Sequence, residues 1–306
     1  MDAKTTGPTP AASAAPQSAA ATWAPLRRFI AAEARLQAWA EETPLRAGLY
    51  EFVRFGIKQG WACLFGGIMV GLMIATKLWY PAGAGLARYD FLFIAALSVQ
   101  VLLLAFKLET LEEARVIFAY HVVGTVMEVF KTGVGSWIYP EASLFHIAGV
   151  PLFSGFMYSC IGSYICRAWR LFHIEFRHHP PLWALALLSV AIYVNFFSHH
   201  YIWDFRPLLF LAMAALCWRA RFYFLVWRVK RWMPFLLGLF LVSVFIWISE
   251  NVGTLTQTWL YPSQRNGWSM VGIEKLGSWF LLLTISYTLV ALIRRNGAGE
   301  GRDQSR

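Results

Sequence analysis

Residues 233–252 read MPFLLGLFLVSVFIWISENV and carry no charged side chain before Glu250. An α-helix crosses the apolar core of a bilayer with about 20 residues, so this stretch is long and apolar enough to span a membrane. Its single carboxylate lies near one end, and ionisable side chains inside a span are costly and usually face an interior or a water-filled cavity. The stretch therefore predicts a membrane-spanning helix with a special role for Glu250.

The rest of the chain has the same apolar character. Hydrophobic residues make up 58% of its 306 residues and charged residues only 14%, whereas soluble domains have about 45–50% and about 25%. We therefore expect an all-α, polytopic membrane helix bundle with about eight transmembrane helices, in a single domain over residues 45–295. The other seven predicted spans are 57–78, 90–107, 115–132, 148–166, 181–198, 206–221 and 272–293.

The 27 Lys and Arg residues test this topology. With eight spans, 21 of them fall on the side of the two termini and 6 on the opposite side. Cytoplasmic loops are enriched in Lys and Arg, so we expect both termini in the cytoplasm. The net charge of +10 would then meet the lipid bilayer at its anionic cytoplasmic leaflet. The basic residues form short clusters between apolar runs, which argues against nucleic acid as a partner.

The two ends of the chain differ from the apolar part between them. Residues 1–25 are rich in Ala, Pro, Ser and Thr and lack the apolar core of a signal peptide, so we expect a disordered N-terminal tail. Residues 26–44 alternate apolar and charged side chains up to Pro44, which predicts an amphipathic helix on the membrane surface. Residues 296–306 are predicted as a disordered C-terminal tail.

A 13-residue pattern occurs twice with an offset of 122 residues. Glu128 and Glu250 each precede a Trp-x-Tyr-Pro sequence by nine residues, and the copies end at Pro140 and Pro262. The two glutamates lie near the ends of the third and seventh predicted spans, so both copies have the same orientation. This pattern predicts a 4 + 4 parallel internal repeat. The aromatic residues and prolines alone also fit an interfacial aromatic belt followed by a helix stop.

The repeated pattern supplies the candidate site residues. Glu128 and Glu250 are predicted as acid/base groups, because partial burial tunes the pKa of a carboxyl group for proton transfer. His121 shares a helix face with Glu128, which suits a proton relay or equally a polar contact between helices. Lys131, in the same segment, is a further catalytic candidate. The predicted substrate-binding side chains are Trp137, Tyr139, Asn251, Trp259 and Tyr261.

Neither a metal nor a cofactor is predicted. The four Cys residues lie in apolar runs without a CxxC pair, which favours small buried side chains over a zinc site or a disulfide framework. A predicted span separates His178 and His179 from His199 and His200. At 1.5 Å per residue that span places the two pairs roughly 28 Å apart, too far for shared metal coordination.

Two family resemblances rest on the same residues. The segments from Gly124 to Glu128 and from Gly149 to Leu152, with both Trp-x-Tyr-Pro sequences, resemble the bacterial integral-membrane family catalogued as domain of unknown function 817. That resemblance covers most of residues 45–293 and implies a bacterial inner-membrane protein without an assigned activity. A fainter likeness to membrane-bound carotenoid hydratases covers about 25 residues, from Glu128 through Tyr139 to Pro151. It implies a shared ancestral fold, while Trp137 and Pro140 depart from the hydratase pattern.

Three functions follow from the sequence. The first is a membrane-embedded enzyme that acts on a lipid or isoprenoid through the outer-side carboxylates. The second is a proton-coupled transporter or permease of a small solute, which the internal repeat and the carboxylates also suit. The third is a non-catalytic scaffold that binds a partner or anionic lipid through the basic segment 219–231.

Overall fold

The computed structural model describes residues 24–81 and 83–303, and it describes side chains for residues 28–81 and 83–294. The chain divides into two compact units at Val53. The helices of the described residues are α1 (Ala24–Glu41), α2 (Pro44–Ala62), α3 (Leu64–Trp79), α4 (Arg88–Ala105), α5 (Leu111–Gly133), α6 (Phe153–Leu171), α7 (Leu182–Ser198), α8 (Arg206–Cys217), α9 (Phe235–Leu255) and α10 (Glu274–Asp303). The strands are β1 (His146–Ile147), β2 (Val150–Pro151), β3 (Glu175–Arg177), β4 (Arg221–Leu225) and β5 (Lys230–Pro234).

The chain is mostly helical, as predicted, and several of its helices are apolar. Three of them, α4, α9 and the part of α10 from Glu274 to Arg294, are long and apolar enough to cross a membrane. Helices α2 and α3 pass the same test only as a pair, with a bend of 70° between them. Helices α7 and α8 are apolar but have 17 and 12 residues. These helices are compatible with a membrane protein and support three or four spans by length and composition.

The predicted span at residues 57–78 is not one straight helix. It breaks at Cys63, between α2 and α3. Gly60, Gly66 and Gly67 flank the break, and glycine weakens a helix by roughly 1 kcal/mol relative to alanine. Hydropathy does not register a break of this kind, because Cys63 and its neighbours are apolar.

The all-α prediction missed two small antiparallel sheets. Strands β1 and β2 pair between α5 and α6, with Ile147 opposite Val150. Strand β4 pairs with both β3 and β5, and Phe222 lies opposite Phe176 on one side and Met233 on the other. The basic segment 219–231 is thus largely part of a sheet. The charges of this segment led to its prediction as a loop, although its apolar residues alternate as in a strand.

The predicted flanking segments are described only in part. Residues 1–23 of the predicted N-terminal tail lie outside the described residues. Helix α1 covers most of the predicted amphipathic segment and ends at Glu41, and α2 starts at Pro44, as expected for a proline at the first helical position. Helix α10 continues to Asp303, into the segment predicted as a C-terminal tail.

Helices α5 and α6 approach each other closely through glycines. A Cβ atom on Gly124 would lie 2.6 Å from the Tyr158 ring, and one on Gly155 would lie 2.5 Å from both His121 and Thr125. Because these two positions lack a side chain, Tyr158 can lie directly over α5. The close approach therefore decides which side chain of α6 reaches Glu128.

A buried ion pair holds α6 at its other end. Arg167 Nη2 lies 3.2 Å from Glu109 Oε1, and both side chains are almost completely buried. Ser163 Oγ donates to the same carboxylate oxygen at 2.6 Å, and Gln100 donates to the second oxygen. Buried charges require partners of this kind, so the network ties the loop before α5 to α6.

Candidate functional site

The first copy of the repeated motif surrounds Glu128, near the C-terminal end of α5. Trp137 Nε1 and Tyr139 Oη both donate to Glu128 Oε2 at 2.7 Å. Tyr158 Oη, on α6, donates to the other oxygen at 2.7 Å. The glutamate is only 5% exposed. Three donors on a buried carboxylate stabilise its position and occupy both oxygens.

The second copy surrounds Glu250, near the C-terminal end of α9. Tyr261 Oη donates to Oε1, and Trp279 Nε1, on α10, donates to Oε2 at 2.6 Å. Tyr261 is the counterpart of Tyr139, whereas Trp279 takes the part that Tyr158 plays in the first copy. Trp259, the counterpart of Trp137, does not donate to the glutamate. It packs on α9 instead, where a Cβ on Gly253 would lie 2.0 Å from its ring.

The two copies have the same backbone structure. Helices α5 and α9 end at equivalent residues, and the next turn is left-handed, with φ of 75° at Gly135 and 55° at Gln257. The capping hydrogen bonds also repeat at the same offset: Ser136 N donates to Lys131 O and Thr258 N donates to Gly253 O, each at 2.9 Å. This is the six-to-one bond of a Schellman cap.

The two copies also pair with each other. Ile138 N donates to Leu260 O at 2.9 Å, and Leu260 N donates to Ile138 O at 2.9 Å. These residues are equivalent positions of the repeat. Mutual antiparallel pairing of equivalent residues gives the two motifs a local two-fold relation. Trp137 of one copy packs edge-on against Tyr261 of the other, with ring centroids 6.0 Å apart.

A cavity of about 210 Å³ lies beside this pair of motifs. Glu250 forms part of its wall, and Glu128 is not among its lining residues. The polar and charged lining residues come from both motifs, from α6, α7, α8 and α10, and from the loop after α7. They are Lys131, Ser136, Tyr158, Asn195, His199, His200, Arg206, Glu250, Tyr261, Glu274, Lys275 and Ser278.

Three cations line the cavity, and each has different neighbours. Lys131 Nζ lies 2.8 Å from His200 Nε2 and 4.0 Å from the centre of the Phe196 ring. Lys275 Nζ lies 4.5 Å from the centre of the Tyr261 ring. Arg206 pairs with a carboxylate, because its Nη2 lies 2.5 Å from Asp204 Oδ2.

The charges of this region shift the pKa values of groups in the loop after α7. The hydrogen bond from Arg206 lowers the pKa of Asp204, so this carboxylate is ionised at neutral pH. Loss of hydration at the cavity wall lowers the pKa of His199 and of His200, and the charge of Lys131 lowers both further. Both imidazoles are therefore neutral at neutral pH, and His200 Nε2 can accept a hydrogen bond from Lys131.

Four of the nine predicted site residues line the cavity, and five do not. Lys131, Trp137, Glu250 and Tyr261 line the cavity, whereas Tyr139 lies behind them against Glu128. The other three predicted residues do not line the cavity. Asn251 accepts from Val271 N at 2.9 Å and so fixes a loop, Trp259 packs on Gly253, and His121 contacts Phe156 with its Nδ1 unbonded.

The sequence reasoning missed Tyr158, Trp279, Arg206 and Lys275. Tyr158 and Trp279 belong to the helix that follows each motif. They lie far from the glutamates along the chain, so no local sequence pattern predicts their contacts. Arg206 and Lys275 did leave a signal. With Lys131 they are three of only six Lys and Arg residues on the predicted outer side, where cations are disfavoured. The cations of the predicted outer side thus carried a signal for the cavity in the sequence.

These features define the class of protein. It is a mostly helical protein whose apolar helices are compatible with a membrane, and its carboxylate–aromatic motif occurs twice beside a charged cavity. The family described as "Protein of unknown function (DUF817)" matches residues 51–287, and the chain belongs to this family. It is 38% identical over 245 residues to "Uncharacterized protein YoaT" of Bacillus subtilis (strain 168), which covers 80% of this chain and 92% of that protein. No solved structure gives a significant match. The local likeness to carotenoid hydratases is not shown by these comparisons and stays a prediction.

Proposed function

We propose that this chain is a membrane-embedded enzyme of the bacterial cytoplasmic membrane that acts on a lipid or isoprenoid. In this proposal the chain has eight spans, arranged as a 4 + 4 repeat, and both termini are cytoplasmic. The distribution of 21 against 6 Lys and Arg residues supports this topology, and the local two-fold relation of the motifs supports the repeat. The cavity then opens near the outer membrane–water boundary.

One observation carries the enzymatic part of the proposal. Glu250 is a buried carboxyl group that also forms part of a cavity wall. A carboxyl group in this position can exchange a proton with a bound substrate while Tyr261 and Trp279 hold its orientation. Glu128, which is bonded by three donors and does not line the cavity, then serves as the structural copy. Glu250 is therefore the acid/base group in this proposal.

The test is a lipid and pigment comparison of membranes from a deletion strain that expresses the wild-type chain or Glu250→Gln. The amide keeps the size of the side chain and removes its exchangeable acidic proton. We expect one lipid or pigment species to accumulate in both the deletion strain and the Glu250→Gln strain. Glu112→Gln, an exposed carboxylate at the start of α5, is the matched control. Protein levels in the membrane are equalised by immunoblot.

Identical profiles for wild type, deletion and Glu250→Gln would contradict the enzyme. The second candidate would then be a proton-coupled transporter, which the two-fold relation of the motifs favours because many transporters consist of internal repeats. Solute-driven proton flux in vesicles, present for wild type and lost in Glu250→Gln, would support that function. Flux that is indifferent to the substitution would leave the scaffold function.

A further inference from the structure

Two ammonium groups of the cavity have no carboxylate partner. Lys131 is 3% exposed, and its hydrogen-bonding partner within the described part of the chain is the neutral His200. Lys275 makes ring contacts with Tyr261 and Trp137, and no hydrogen bond or ion pair of its ammonium group is found among the described residues. A buried ammonium ion without a counter-charge is unfavourable. Lys131 is therefore a buried ammonium group without a paired carboxylate, and Lys275 is a half-buried one on which Glu250 and Glu274 act without forming an ion pair.

Two of the other four cations of the predicted outer side, Arg88 and Arg206, are paired with carboxylates. Arg88 Nη2 lies 2.6 Å from Glu141 Oε1, and Arg206 is paired with Asp204. Lys131 and Lys275 lack such a partner, although both line the same cavity. The cavity wall thus carries one paired cation, Arg206, and two cations without an ion-pair partner among the described residues.

The carboxylates at the cavity do not fill this role. Glu250 is already bonded by Tyr261 and Trp279, and Asp204 is engaged by Arg206. Glu274 lies exposed at the rim. These carboxylates form no ion pair with either lysine among the described residues. An incoming anion would meet two ammonium donors and no competing carboxylate bonded to them.

We propose that the cavity binds a phosphate-class oxyanion between Lys131 and Lys275. A phosphate group carries about −1.5 to −2 charges at neutral pH, which matches two lysines better than a singly charged carboxylate does. The hydroxyl groups of Ser136 and Ser278, also on the wall, supply neutral donors. The volume of about 210 Å³ corresponds to roughly seven waters at about 30 Å³ each. This space holds a phosphate group with part of an attached chain.

The phosphate can belong to a lipid headgroup or to a free solute. Apolar side chains share the wall with the lysines: Ile192, Phe196, Leu281 and Leu282. An attached acyl or isoprenyl chain would pack against them. This inference deepens the proposed function, since it names the chemical class of the substrate, and it rests on that function only for the claim that the bound molecule is turned over. Binding itself does not require Glu250 to transfer protons.

The experiment measures binding to the purified full-length chain in phosphatidylcholine nanodiscs. The probes are inorganic phosphate, inorganic pyrophosphate and, in a separate arm, phosphatidic acid mixed into the nanodisc lipid. Trp137 and Trp279 line the cavity, so their fluorescence reports its occupancy, and calorimetry gives the affinity for the soluble probes. Binding of phosphate or pyrophosphate identifies a free anion, whereas a response to phosphatidic acid alone identifies a lipid headgroup.

The variants are Lys131→Gln, Lys275→Gln and the charge-preserving Lys275→Arg. We expect each glutamine variant to bind at least tenfold more weakly, which is about 1.4 kcal/mol, and the arginine variant to keep most of the affinity. Lys77→Gln is the control, because this exposed outer-side lysine contacts Gln257 away from the cavity. Glu250→Gln should retain binding even where it abolishes turnover, so the two proposals fail separately.

Two outcomes would overturn the inference. One is the absence of a response of the wild-type chain to all three probes. The other is a Lys275→Gln variant whose affinity stays within twofold of wild type. Lys275 is only half-buried, so its glutamine variant keeps the test valid even where Lys131→Gln fails to fold.

Discussion

The two copies of the glutamate motif share a backbone and differ in what surrounds the glutamate. Both glutamates follow the same helix geometry, cap and turn, and the copies pair through equivalent residues. Glu128 is enclosed by three donors, whereas Glu250 has two and forms part of a cavity wall. The same motif thus holds a carboxylate enclosed by donors in one copy and a carboxylate on a cavity wall in the other. The difference comes from the neighbours of each motif and not from the motif itself.

The position three residues after each glutamate shows how the two copies differ. The first copy has Lys131 there, which faces the cavity, and the second has Gly253, whose missing side chain makes room for Trp259. Trp137 is therefore free to donate to Glu128, while Trp259 is held against its own helix. In the copy with lysine at this position, the tryptophan of the motif donates to the glutamate. In the copy with glycine, it does not.

The largest expected effect is the difference in free energy of unfolding between alanine substitutions of the two glutamates. Glu128→Ala leaves three buried donors without an acceptor, and each loss costs about 1–3 kcal/mol, so we expect a destabilisation of about 3 kcal/mol or more. Glu250→Ala leaves two donors beside a cavity that can admit water, and we expect about 1–3 kcal/mol. Thermal unfolding of the detergent-solubilised protein, with Glu112→Ala as control, measures the difference. A larger loss for Glu250→Ala would reverse the assignment of Glu128 as the structural copy and Glu250 as the acid/base group.

Part of this comparison was predictable from the sequence, because it is local. Trp137, Tyr139 and Tyr261 lie within eleven residues of their glutamates, and one helix end with its turn suffices to bring them together. Tyr158 and Trp279 come from the next helix, and their contacts depend on the packing of α5 with α6 and of α9 with α10. Hydrophobic periodicity gives the helices but not their rotations, so these donors were missed.

The fold was predictable to a similar depth. Apolar runs gave most helices, because burial and hydropathy depend on composition over about 20 residues. They did not give the break at Cys63 or the strand β4 within the basic segment. Strand β4 depends on pairing with β3, whose residue Phe176 lies opposite Phe222. Such pairing over more than 40 residues leaves only a short alternating pattern in the sequence.

The second effect concerns the equivalent positions 131 and 253. Gly253→Ala places a Cβ 2.0 Å from the Trp259 ring, and overpacking of this kind costs about 1–3 kcal/mol. Lys131→Ala removes a buried ammonium that lacks a carboxylate partner, so we expect it to be neutral or stabilising without bound anion. In the same unfolding assay, Gly253→Ala should therefore lower the free energy of unfolding, whereas Lys131→Ala should leave it unchanged or raise it. Destabilisation of equal size at both would show that Lys131 has a structural role.

A reciprocal exchange tests the shared turn with a smaller effect. Gly135 and Gln257 both have left-handed backbones, with φ of 75° and 55°, a conformation that costs a non-glycine residue about 1–2 kcal/mol. Gly135→Gln should therefore destabilise the protein by about 1 kcal/mol. Gln257→Gly should stabilise it by less than that, because the contact with Lys77 is lost. A loss of stability in both variants would mean that side-chain contacts, and not backbone strain, control this turn.

The smallest expected effect is the pH dependence of stability at the cavity wall, where His200 lies beside Lys131. The lowered pKa values of His199 and His200 mean that the unfolded chain binds more protons than the folded chain just below pH of about 6.5. Stability should therefore be complete above that pH and decline as the pH falls through it. Solvent screening keeps the change below about 1 kcal/mol.

The variant His199→Gln, His200→Gln should flatten this decline when unfolding is measured between pH 7.5 and pH 5.5. His178→Gln, an exposed histidine near the opposite end of α7, reports the effect of removing a histidine that is distant from Lys131. The affinity of the wild type for the phosphate-class probe, taken relative to the double variant at each pH so that protonation of the probe itself cancels, should rise as the pH falls, because protonated imidazoles add positive charge beside Lys131. Binding that weakens with the histidines protonated would instead show that the contact between Lys131 and neutral His200 is needed to hold the ammonium towards the anion.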